Sequence, residues 1–113
     1  MPEGFPEIGI WQSRHSLMVL DVAGGSLDDG APIHQWDMHG GDMQRFRIEP
    51  LGGGQFALRA VHSGKVLDVS DWSTDRGARI QQYDWRGGNN QLWQIVIPSA
   101  RPGPRPGDAV PFD

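Results

Sequence analysis

The sequence contains no cysteine, so neither a disulfide framework nor a thiolate centre is open to it, and a reducing compartment is permitted. No apolar run approaches membrane-spanning length, so no membrane insertion is expected. The first seven residues, acidic and interrupted by Pro2 and Pro6, lack the apolar stretch of a secretory leader. These absences fit a cytoplasmic protein or one released by a non-classical route. Basic residues are few: 10 Lys and Arg against 14 Asp and Glu give a net charge of −4. Phosphate binding needs clustered cations, so a nucleic-acid partner is not expected. No window repeats apolar residues at three- and four-residue spacing, which leaves room for no helix beyond a single turn. Nucleophile motifs, phosphate loops and catalytic carboxylate pairs are missing too, and the expectation is a non-enzyme. His34 and His39 come without the Cys or carboxylate spacing of a metal site, and no cofactor is implied.

What the chain has instead is 16 Gly and 9 Pro in 113 residues, with 5 Trp and 4 Phe carrying much of a 37 % hydrophobic content. That composition suits one domain of short strands and many turns around a modest core. The strongest signal is an internal repeat. Residues 15–48 and 62–95, 47 positions apart, are identical at 17 of 34 places without a gap. Val19-Leu20-Asp21-Val22 falls on Val66-Leu67-Asp68-Val69, Gly40-Gly41 on Gly87-Gly88, Gln44 on Gln91 and Ile48 on Ile95. Repeats of this kind define the architecture before any other consideration. Short β-branched and aromatic runs broken by Gly, Asn, Asp and Ser predict four antiparallel strands per unit. They fall over 8–14, 17–22, 31–36 and 43–48, then 55–61, 66–69, 80–83 and 91–95. Residues 50–54 read as the linker between units, and Phe46 and Trp93 as core.

Gln91-Leu92-Trp93, closing a unit that begins with Leu67-Asp68-Val69, resembles the Q-x-W repeat of ricin B-type β-trefoil lectins. The first unit has the frame in weaker form, with Gln44-Arg45-Phe46. The resemblance covers about residues 9 to 97 and implies an all-β, β-trefoil-like fold. Two 47-residue, four-stranded repeats (about 8–54 and 55–97) would form a domain over 1–97, followed by a Pro/Gly-rich tail over 98–113. In that tail Val110-Pro111-Phe112 is a possible apolar anchor. A trefoil closes with three units, and a third of this length would run well past residue 113. Two units alone leave unpaired edges and a wet apolar face. Self-association into a trimer or dimer is therefore expected, in preference to the terminal arms filling the gap.

The resemblance also implies a function: a carbohydrate-binding lectin for galactose-type glycans, multivalent through its homo-oligomer. It places one sugar site in the second unit, with Asp68 accepting sugar hydroxyls and Gln81 beside it. Tyr83 would stack on the ring, and Asn90 and Gln91 would add bonds. Those residue types suit the task, because carboxylates and amides match hydroxyls and an aromatic face matches the C–H face of a sugar. Asp21, His34, Trp36 and Gln44 form a weaker second site, eroded by His34 in place of Gln and by Met43 in place of Asn. Asp21 and Asp68 have a plainer reading as acceptors for backbone N–H groups of the loops after them. Trp72 and Trp85, opposite Gly25 and Met38 in the first unit, are rim or interface residues. His15 and His62, duplicated in register, read as structural. The rival function is a protein-interaction or structural module on the same scaffold, with little or no sugar binding.

Overall fold

The computed structural model describes residues 7–96. The expected tail over 98–113, with Val110-Pro111-Phe112, and all of the N-terminal arm but Glu7 lie outside them. Eight strands follow in order: β1 Ile8–Gly9, β2 Val19–Val22, β3 Ile33–Trp36, β4 Phe46–Gly52, β5 Gln55–Ala60, β6 Val66–Val69, β7 Ile80–Tyr83 and β8 Trp93–Gln94. The helical pieces among the described residues are single 3₁₀ turns, at Ala23–Gly25, Asp42–Gln44, Ser70–Trp72 and Asn89–Gln91. The chain is all-β, with the expected four strands in each unit.

Several boundaries differ from the sequence-based expectation, most by one or two residues and some by more. The segment 8–14 pairs only at Ile8–Gly9, with an isolated bridge from Gln12 to Val19. Both closing segments open with a 3₁₀ turn rather than a strand, because Gln44 and Gln91 turn inward there to bond backbone. Conversely, β4 runs on into the expected linker as far as Gly52 and pairs with β5. Pro50 has no N–H for the ladder, and the register shifts between Pro50 and Gly52, where a bulge absorbs the defect.

Hairpin β2–β3 and hairpin β6–β7 are the same object 47 residues apart. Asp21 lies opposite His34 in the first, and Asp68 opposite Gln81 in the second. Strand β5 joins the second hairpin to the rest of its sheet: it pairs with β4, with β6 at Arg59–Val66, and with β8 at Phe56–Trp93, while the first hairpin forms a separate two-stranded sheet. Phe46, Ile48, Phe56, Leu58 and Leu67 are buried along this sheet, and Val22 of the first hairpin is buried in the same core. Burial of each side chain of that size contributes about 1.5–3 kcal/mol. The repeats are unequal in this. Phe46 is fully buried and its counterpart Trp93 only packs against the core, while Ile48 is 5 % exposed and Ile95 is 37 %.

A polar clamp holds one unit on the other. Gln82, fully buried, donates from Nε2 to the carbonyls of Ser26 and Asp28, each at 2.8 Å, and accepts from Ser63 Oγ. His62 Nε2 bonds the same Ser26 carbonyl, and the Asp84 amide donates to Asp29 Oδ1. Lys65 Nζ sits 2.7 Å from Asp84 and 3.2 Å from Asp29. The bonds from Asp84 and then Asp29 raise the Lys65 pKa, and Lys65 in turn holds Asp84 below its usual value. Replacing Gln82 by Ala strips these amide bonds and should destabilise the domain by about 1–3 kcal/mol, read as a lower urea midpoint at unchanged slope. Gln35→Ala, at the exposed counterpart, should shift stability by less than about 0.5 kcal/mol.

Candidate functional site

In the second unit the chemistry converges on Asp68, which is only 4 % exposed. Its Oδ1 accepts from Gln81 Nε2 at 3.0 Å; its Oδ2 accepts from Asn90 Nδ2 at 3.1 Å and Gln91 Nε2 at 2.9 Å. Three side-chain amides, not the backbone N–H groups of the plainer reading, hold this carboxylate. An ionised carboxyl has about four lone-pair directions, so about one is left for a ligand hydroxyl. Above it opens a cavity of about 190 Å³, lined by Gln81, Tyr83, Asn90, Trp72 and two residues the sequence reading missed, Asp71 and Arg86. The Arg86 guanidinium lies 5.9 Å from the centroid of the Tyr83 ring. Trp85, offered from sequence as a companion of Trp72, lies beside Gly87 and is not part of this lining.

Gln91 is brought to the site but does not face it freely. It is 1 % exposed, and its four bonds are all internal: Nε2 to Asp68 and the Asp84 carbonyl, Oε1 from the amides of Arg86 and Gly87. It positions Asp68. Gln44 repeats the set in the first unit, donating to Asp21 and the Asp37 carbonyl and accepting from the amides of His39 and Gly40.

The turn after β6 is strained. Asp71 and Trp72 take φ of 56° and 55°, a left-handed conformation costing non-glycine residues of order 1 kcal/mol each. Their counterparts Gly24 and Gly25 take φ of 63° and 61° at no such cost. The turn thrusts Trp72, 62 % exposed, across the cavity wall onto the bare backbone of Gly88, where a Cβ would overlap the indole. In sequence the signal is the replacement of Gly-Gly by Asp-Trp at an otherwise matched turn.

The first unit keeps the geometry with other chemistry. Asp21 Oδ1 is bonded by His34 Nε2 at 2.8 Å, and His39 Nε2 stands 3.9 Å from Oδ2. The His34 ring stacks on Trp36 at 5.4 Å and 14°, so part of one aromatic face is already occupied. Met43 stands where Asn90 would bond, packed towards Gly25. A cavity of about 260 Å³ remains here, but with fewer hydrogen-bonding groups for a hydroxyl.

Comparison with known proteins agrees with this geometry. A designed threefold-symmetric protein, ThreeFoil, superposes with a TM-score of 0.79 and 43 % identity over 81 % of this chain, which spans 66 % of that design. An exo-β-1,3-galactanase from Clostridium thermocellum gives a TM-score of 0.74 and 35 % identity over 79 % of this chain but 20 % of its own. The clotting factor G alpha subunit of Tachypleus tridentatus is 45 % identical over 40 residues, 35 % of this chain and 6 % of that protein. The model of the ricin-type beta-trefoil lectin domain-like family matches twice, over residues 7–83 and 42–103, as a repeated frame should. Repeat, hairpin register and family model coincide, and the chain belongs to the ricin-type β-trefoil lectin domain-like family.

Proposed function

We propose that this chain is a carbohydrate-binding module without catalytic activity, holding a galactose-type sugar in the Asp68 cleft. The observation that carries this reading is a buried carboxylate with one acceptor direction left, ringed by amides and a half-exposed tyrosine. Asp68 presents a fixed acceptor, Gln81 and Asn90 present amide groups, and Tyr83 presents a ring to the C–H face of the sugar. A carboxylate already bonded by three amides is a receptor for hydroxyls rather than a proton shuttle. The similarity to an exo-β-1,3-galactanase supports galactose over other hexoses. So shallow a cleft gives about millimolar affinity, near −4 kcal/mol, and useful avidity comes from several clefts on one particle.

Assembly is the second half of the proposal. The described residues hold two lobes of a threefold plan, and a lobe of another copy completes it. Two features support this. His62 and Gln82 clamp the neighbouring unit, while their counterparts His15 and Gln35 are exposed; Ile95 is likewise exposed where Ile48 is buried.

A glycan array on the purified protein, with galactose-resin retention alongside, tests the sugar. Tyr83→Ala and Asn90→Ala should each abolish retention with near-parental melting, whereas Trp36→Ala should change it little. A blank array would instead favour the protein-interaction module, and release of reducing sugar from β-1,3-galactan would overturn the non-catalytic reading. For assembly, sedimentation equilibrium at micromolar concentration should give a multiple of the chain mass. A stable particle of one chain's mass refutes completion by partners.

A further inference from the structure

The turn that carries Trp72 stands between two hollows. On one side is the Asp68 cleft. On the other, a wider open trough of about 690 Å³ runs between the 70–75 loop and Ala78-Arg79, just ahead of β7. Asp71 and Trp72 line both. The trough is polar, bordered by the Asp71 carboxylate, the Thr74 hydroxyl and the Arg79 guanidinium. Among the described residues no partner engages any of these three side chains, whereas Ser73 Oγ is taken by the Asp75 amide at 3.0 Å.

We propose that Trp72 is a wall shared by two sugar subsites, so that the domain takes a glycan of at least two residues. One ring occupies the Asp68 cleft and the next lies in the trough against Asp71, Thr74 and Arg79. The proposal rests on the lectin reading and specifies the length of its ligand.

Three observations carry it. The Asp68 cavity is smaller than the roughly 300–1,000 Å³ of clefts that enclose drug-sized ligands, and it suits one ring rather than a chain. The trough beyond Trp72 offers unengaged acceptors and donors beside an aromatic side wall, the combination that sugar hydroxyls and C–H faces need. The backbone holds two consecutive non-glycine residues left-handed to place that wall, at a turn the other repeat builds from glycines. Strain of this kind persists where the side chains have a task. With Gly24 and Gly25 in the matching turn, the first unit has neither ring nor carboxylate there.

Calorimetric titration of the full chain with galactose, β-1,3-galactobiose and β-1,3-galactotriose tests it. The disaccharide should bind about tenfold tighter than galactose. Arg79→Ala should remove most of that gain, bringing the disaccharide to within about threefold of galactose. Trp72→Gly, which relieves the left-handed strain, should keep or raise the melting temperature and weaken all three sugars. The proposal is overturned if the oligosaccharides bind no tighter than galactose, or if Arg79→Ala weakens all three sugars by one common factor. No heat with any of the three overturns the lectin reading as well, which sets that failure apart from the loss of the second subsite alone.

Discussion

A buried glutamine amide is the constraint on which each lobe depends. Gln44 and Gln91 spend both N–H donors and both carbonyl lone pairs inside the protein, on the carboxylate of the first hairpin strand and on the backbone of the loop before the closing turn. Among the described residues no other side chain of a unit bonds both places. A buried amide satisfied four ways favours one arrangement, since any other leaves a polar group dry and unpaired. The same bonds decide where the carboxylate points. Folding and site geometry are therefore one problem here, and the Q of Q-x-W is a fold determinant before it is anything else.

Much of this was legible from residue order. The 47-residue offset places Asp21 and Asp68, His34 and Gln81, Trp36 and Tyr83 at matching positions, and the hairpin registers repeat that match residue for residue. Strand identity followed from the short β-branched and aromatic runs between turn residues. Gln82 was not legible, although it is identical to Gln35. Its value lies in the carbonyls of Ser26 and Asp28, brought within 2.8 Å by packing between units that no local pattern encodes. Arg86 was missed for a related reason: a lone arginine in a Gly-rich turn looks like a solvated charge until the tyrosine beneath it is seen.

The two pockets show how far one frame can diverge. Substituting His34 for the glutamine keeps a donor on the carboxylate, so the hairpin survives, but the imidazole then lies on Trp36. Met43 fills volume without offering a donor. Gln44 still carries the structural bonds beside both residues, so the frame of the first unit is kept while the rim of its cleft differs.

Strand β5 opens the second sequence unit, yet Phe46 to Gly52 of the first unit lie along it from end to end. The longest ladder among the described residues thus crosses the boundary between the sequence units. A single 47-residue segment, 8–54, excised at the repeat boundary, would lose its longest ladder and expose Phe46 and Ile48, which Leu58 and Phe56 of the next unit otherwise help to cover. The hairpin across that boundary is also the longest pairing among the described residues, and it joins neighbouring segments, so little loop-closure entropy opposes it. The repeated segment and the longest hydrogen-bonded hairpin are therefore cut at different places: the repeat breaks where that hairpin turns.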